Sequence, residues 1–236
     1  MKYADILKHF QSMLLDQAAS DDLKAELGAT QEMDKGIRTY LSNRTEGFYK
    51  IFSRIFPKVQ MAVTENNFRI LTQEFTKQVS GYEGDIAKYS KAFPRFLGQH
   101  PNLEQLEWIE ELALLEWIVG GLEYHKPVPS IPTESALSAV ALSKNPTLSY
   151  EAFDYTVGNF WGVEKLEEAD LAYSEEPSYY LVWKNQDLQL VWCDKDQLEF
   201  VLPLFEQSLQ NKSPNEVKDS LGEELFNVAI EQGWLV

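Results

Sequence analysis

The chain has 236 residues, 44% of them hydrophobic and 25% charged, enough for one large globular core or two modest ones. Its formal net charge of −16 is unevenly spread, for from Glu151 onward 18 acidic residues stand against 5 basic ones, with no arginine. Proteins that grip DNA neutralise phosphates with Lys and Arg, so this composition argues against nucleic acid as a partner of the C-terminal part.

The opening stretch MKYADILKHF mixes charges with single apolar residues and lacks the continuous apolar run of a secretory signal. Residues 3 to about 28 read as one amphipathic helix, with Ile6, Phe10, Met13 and Leu14 in register. A helical pair over 34–63 follows, broken near Phe56-Pro57, because proline disfavours helical geometry in the residue before it. Phe68, Leu71 and Phe75 mark a third helix over 67–79, ended by Ser80-Gly81. A short helix over 86–97, a turn at His100-Pro101-Asn102 and the helix WIEELALLEWIVGG come next, the last closing at Gly120-Gly121.

The segment KPVPSIPTES then carries three prolines and marks a boundary. We expect a helical docking domain over 1–126, a proline-rich linker over 127–134 and a recognition module over 135–236. Within the module, 179–183 and 188–193 are aromatic and β-branched runs around Asn185-Gln186-Asp187, a hairpin pattern. Residues 147–157 hold one or two further strands. Helical spacing returns over 195–209, Ser213 and Glu216 form a capping-box pattern, and 223–232 is the last helix, ended by Gly233. No uncharged apolar stretch is long enough to cross a bilayer. The expected fold class is therefore α+β, an all-α region followed by a small module of winged-helix size, with no membrane partner.

Reactive chemistry is thin. His9, His100 and His125 are scattered without metal-ligand spacing, and the single Cys193 has neither a disulfide partner nor a CxxC neighbour. That cysteine usage fits a cytoplasmic protein. Walker, Rossmann and GxSxG patterns are absent, and no cofactor is expected. Glu107, Glu110 and Glu111 lie on the polar side of their helix, read as a solvated face. Glu116 instead falls among apolar residues beside Trp117. A catalytic acid is one explanation for it. The stronger one is a buried structural clamp, since a desolvated carboxylate needs a hydrogen-bonding or charged partner. Arg38 and Arg44, with Tyr40 and Asn43 as neutral donors, are the candidate partners, Arg38 and Tyr40 foremost.

Positive charge concentrates over 35–58, where Lys50, Arg54 and Lys58 recur every four residues opposite Phe48, Phe52, Ile55 and Val59. Such a ridge is most often a solvated face. It would also dock an acidic protein surface, or a phosphate backbone if helix 44–58 served a DNA-binding regulator.

The order of Arg38-Thr39-Tyr40-Leu41-Ser42-Asn43, Phe56-Pro57, Phe68, Phe93 through Leu97 and Glu111-Leu112-Ala113-Leu114-Leu115-Glu116-Trp117 resembles a bacterial family that carries a DNA-binding-domain name. The likeness continues through Asn145-Pro146-Thr147-Leu148, Phe160-Trp161 and Tyr180-Leu181-Val182-Trp183. That family is similar to the accessory subunit of methanobactin-type peptide-modifying pairs. The resemblance implies a non-catalytic adaptor, forming a heterodimer with a TIM-barrel oxidase that holds a multinuclear iron centre and acts on a ribosomally made precursor peptide. It also implies that a leader peptide is bound by strand addition to a sheet edge. From the residues themselves, we expect the partner contact at Lys50, Arg54 and Lys58 together with the linker, and the peptide site at the strand edge around Tyr180, Val182, Leu188 and Leu190. Two departures stand out. Val63-Thr64-Glu65 replaces a glycine usual after the Phe-Pro pair, and Ser80-Gly81-Tyr82-Glu83-Gly84 replaces a proline-rich loop.

Overall fold

The computed structural model describes residues 25, 31–79, 86–123, 125–129, 132–136, 139, 141–161, 174–209 and 212–236. The expected helix over 3–28, apart from Ala25, and the turn at Ser80-Gly81 lie outside these residues. The chain is α+β, with a helical N-terminal region and one small antiparallel sheet. It divides into two compact units, the first running to Trp117 and the second from Ile118, except that 164–168 is grouped with the first.

Helix α1 (Gln31–Ile55) stops where Phe56-Pro57 forbids continuation, and α2 (Pro57–Val63) restarts at once with proline in its first turn. Helix α3 (Glu65–Gln78) buries Phe68, Leu71 and Phe75 at helical spacing. The single helix expected over 86–97 is two elements, a 3-10 helix Ile86–Ala92 and then α4 (Phe93–Gly98), joined at Phe93-Pro94. Pro94 has no N–H to extend a preceding helix but fits the first turn of a new one. Phe93 is fully buried, and its ring meets Phe52 at 4.8 Å, Phe56 at 5.1 Å, Phe75 at 5.2 Å and Phe68 at 5.8 Å. Most of these contacts are edge-on or tilted, the arrangement that sets a ring's positive rim against its neighbour's negative face.

Helix α5 (Ile109–Glu123) runs on through Gly120-Gly121 instead of ending there. Glycine costs a helix only about 1 kcal/mol against alanine, and Val119 and Leu122 on either side of the pair are buried. The division between units falls within this helix and not at 127–134. Its last residues belong with the second unit, where the Lys184 ammonium donates to the Glu123 carbonyl at 2.7 Å.

A short α6 (Thr133–Ala136) precedes the sheet of the second unit, whose strands β1 (Ser149–Phe153), β2 (Ser178–Lys184) and β3 (Leu188–Cys193) lie in that order. The segment 147–157 thus supplies one strand, followed by a 3-10 helix Val157–Phe160. Ser149 faces Val182, Tyr180 faces Trp192 and Val182 faces Leu190. Strand alternation sends Leu181, Trp183 and Cys193 into the core shared with α7 (Lys195–Val201), α8 (Pro203–Glu206), α9 (Pro214–Leu221) and α10 (Glu223–Glu231). Both capping boxes are formed, Asp194 with Gln197 and Ser213 with Glu216.

A buried polar hub ties this unit together. The Asn145 side chain donates to the Gly233 carbonyl at 3.0 Å and to Asn185 Oδ1 at 3.1 Å. Its Oδ1 accepts from the Thr147 N–H and hydroxyl, and the Lys184 N–H donates to Thr147 Oγ1. The apolar tail is inside: Trp234 and Leu235 are buried, and Ser143 and Val236 exchange backbone hydrogen bonds of 2.8 and 2.9 Å.

Two of the single-residue joints between consecutive helices have positive φ. Between α9 and α10, Gly222 sits at φ 81°, ψ 156°; between α2 and α3, Thr64 sits at φ 73°, ψ 152°. That conformation suits glycine, whereas a β-branched residue is strained there. Thr64→Gly should therefore raise the stability of the first unit by about 1 kcal/mol after the entropic cost of glycine, read as a higher melting temperature. A variant that melts lower than the parent would contradict the strain.

Candidate functional site

Candidate groups exist in both units, and each unit is taken by itself. In the first, Phe56 caps α2 without any side-chain hydrogen bond, and Pro57 has no N–H. The next two donors, Lys58 N–H and Val59 N–H, point at orphan positions that every helix start must satisfy. Glu116 on α5 fills them, accepting from Lys58 N at 2.5 Å and from Val59 N at 2.9 Å. It is 1% exposed. A negative group at a helix N-terminus is also favoured by the helix dipole.

The clamp expected at Glu116 is therefore present with different partners. Arg38 and Tyr40 are exposed residues of α1 and take no part in it. Arg38 instead lines an open surface hollow of about 330 Å³ with Ser42, Glu46 and Gln73. Arg44 donates to the Thr76 carbonyl at 3.4 Å and lies over the Phe48 ring. Burial lowers its pKa. Side-chain donors were the obvious candidates for a buried carboxylate; the main-chain donors freed by the helix break win because they are already desolvated and fixed. The signal was legible as Phe-Pro at a helix start, where no Ser, Thr, Asp or Asn stands to cap it.

The ridge residues do not form one helical row. Lys50 and Arg54 are exposed on α1, whereas Lys58 belongs to α2 and is half-buried, its backbone N–H held by Glu116. The apolar stripe opposite them is as expected, with Phe48, Phe52 and Val59 buried. His100 is also buried; its Nδ1 accepts from the Asn102 N–H and its Nε2 lies 2.7 Å from a Glu74 oxygen, so a ring protonated at Nε2 serves both neighbours. His125 is exposed, and His9 lies outside the described residues. Among the described residues, no three His, Cys, Asp or Glu side chains gather as a metal set.

In the second unit, Tyr180, Val182, Leu188 and Leu190 do share one face of the sheet. Tyr180 and Val182 are on the central strand, 3% and 0% exposed, so they cannot pair with an added strand. The Tyr180 hydroxyl accepts from the Gly158 N–H at 2.9 Å, and its ring lies 5.8 Å from that of Phe153. A Cβ on Gly158 would come within 2.2 Å of the Tyr180 ring, so glycine is required there by close approach. The sequence showed a buried-looking run, but strand order, which decides centre from edge, is not written in it. Leu188 and Leu190 are on β3, half-buried, at the edge of the sheet formed by the described residues. Beside them the sequence reading passed over Trp192 and Val191, which are 58% and 42% exposed. Cys193 is buried, and burial pushes its thiol upward, with Asp194 adding to the shift, the opposite of nucleophile activation.

No family model matches this chain, and no curated protein matches it. No helix among the described residues is long and apolar enough to cross a membrane.

Burial lifts the Glu116 carboxyl from its ordinary 4.5 to about 8, against the pull of the Val59 and Lys58 N–H groups and the Lys58 charge. An acid whose folded pKa is raised stabilises fully below its unfolded pKa and loses that contribution as pH rises through the folded one. The melting temperature of the chain should thus fall between pH 4.5 and 8. Glu116→Gln should lose roughly 1–3 kcal/mol at acidic pH, since its amide NH2 faces a backbone donor, and should show less of the pH slope. A Glu116→Gln variant as stable as the parent at acidic pH would refute the cap, and melting unchanged across that range in the parent would refute the raised pKa.

Proposed function

We propose that the chain is a non-catalytic adaptor that recognises an extended peptide by strand addition along β3. The observation that carries this reading is the combination at that edge: an outermost strand among the described residues, with Trp192 58% exposed and Val191 42% exposed. Edge strands are usually blunted by charge, proline or cover, because their main-chain groups are ready to pair. β3 itself carries no charged residue and no proline. Exposed Asp187, Asp194 and Asp196 flank it, in a stretch of sequence with 18 acidic and 5 basic residues, so a peptide with lysines or arginines fits best. Main-chain pairing supplies affinity, and the apolar Trp192 face supplies choice.

The resemblance drawn from the sequence supports a place for this adaptor beside an iron-dependent TIM-barrel oxidase that modifies the bound precursor peptide. In that reading the exposed Lys50 and Arg54 contribute the docking charge on the first unit, with Lys58 at its margin. The DNA-regulator reading has only that same patch to draw on.

Fluorescence anisotropy separates the two. A labelled 20-residue peptide of alternating Lys and Val/Ile should bind saturably and shift tryptophan emission, and a Glu-substituted version should not. Trp192→Ala should weaken binding at least about tenfold, in line with an exposed aromatic anchor, while leaving the melting temperature unchanged. Steeply salt-dependent binding of random duplex DNA, without peptide binding, would replace this reading with the regulator. On co-expression with a barrel oxidase, Lys50→Glu/Arg54→Glu should reduce co-purification; equal recovery would remove the ridge from the interface.

A further inference from the structure

A concave surface lies within the first unit, away from the residues used above. Between α3, the 3-10 helix Ile86–Ala92 and α4 there is a cleft of about 460 Å³. The buried rings of Phe75 and Phe96, 5.3 Å apart and steeply inclined, contribute its apolar lining, with Tyr89 beside them. Lys91 and Arg95 also line it, together with the amides of Gln78 and Gln99. Both cations are exposed, and neither has an ion-pair partner among the described residues. The Lys91 ammonium lies 5.9 Å from the Trp117 ring centroid, a contact that leaves it free to accept an anion.

Among the described residues, those lining the cleft include no acidic side chain. Lys91 and Arg95 stand one helical turn apart in sequence beside an aromatic surface. The volume is within the range of roughly 300–1,000 Å³ typical of small-molecule pockets, which pair apolar walls with a few convergent polar groups. A guanidinium fork matches a carboxylate, and the ammonium adds a point charge.

We propose that this cleft binds a small organic carboxylate with a flat apolar body, the ring against Phe75 and Phe96 and the anion between Lys91 and Arg95. The proposal is independent of the peptide reading at β3. It is tested on the full chain by isothermal titration with 2-naphthoate, using the neutral 2-naphthylmethanol as the control of equal shape. One saturable site is expected for the acid, with the alcohol at least tenfold weaker. Lys91→Ala/Arg95→Ala should weaken naphthoate at least tenfold without lowering the melting temperature, both residues being exposed, and Arg95→Lys should retain part of the affinity. Equal binding of acid and alcohol, unchanged binding by the double variant, or no saturable binding of naphthoate would each overturn the proposal. Because Trp192 is not among the cleft residues, Trp192→Ala should bind naphthoate like the parent, which keeps this outcome separate from the peptide experiment.

Discussion

The buried carboxylate of Glu116 sits where two demands of the first unit meet. Phe56-Pro57 must break the helix so that Phe56 can turn into the aromatic cluster, where its ring lies 5.6 Å from Phe52 and 5.1 Å from Phe93. The same break leaves the first N–H groups of α2 without a local cap, at Lys58, which is half-buried, and at Val59, which is buried. Leaving such donors unpaired in the interior costs about 1–3 kcal/mol each, and a distant acceptor is the remedy. Because that acceptor comes from α5, the helix start, the aromatic core and the last helix of the first unit are fixed by one group. Charge would make Glu116 a stronger acceptor but is expensive to bury, and burial outweighs the two N–H donors, so below about pH 8 the carboxyl caps the helix mostly in its neutral form.

The second unit solves the same problem with a neutral group. Asn145 both donates and accepts, so it joins the loop after β2, the residues before β1 and the chain beyond α10 without carrying charge into the core. This matters in a unit that is already strongly acidic, where another buried carboxylate would be disfavoured by its neighbours as well as by desolvation. The two units thus differ in their electrostatic character as well as in secondary structure. The first has the exposed cations Lys91 and Arg95 at an aromatic cleft; the second has aspartates flanking an apolar strand edge.

Much of this architecture is legible in the sequence. Helical periodicity located α1 to α3, and β-branched and aromatic runs located the hairpin, because both patterns follow directly from which face must be dry. Ser213 and Glu216 announced their capping box by spacing alone. Glycine was over-read at Gly120-Gly121, where buried neighbours carry α5 through a modest penalty. The partners of Glu116 are not written in residue types, because they are main-chain donors exposed by the break at Phe56-Pro57. Tyr180 and Val182 were placed at the peptide site because residue type identifies a strand but not its position in the sheet. Thr64 left no such trace. Nothing in a threonine predicts φ 73°, a backbone that glycine would adopt more readily.

The pairing of Ser143 with Val236 joins positions 93 apart in the chain. Contacts of such separation close slowly and cannot begin until both ends exist. At a synthesis rate of about 5–20 residues per second, Ser143 waits roughly 5–20 s for its partner strand to be made. Through that interval the Asn145 hub lacks the Gly233 carbonyl, and the apolar face that Trp234 and Leu235 will cover is open. The second unit therefore stays open to aggregation and chaperone capture until residues 234–236 are made.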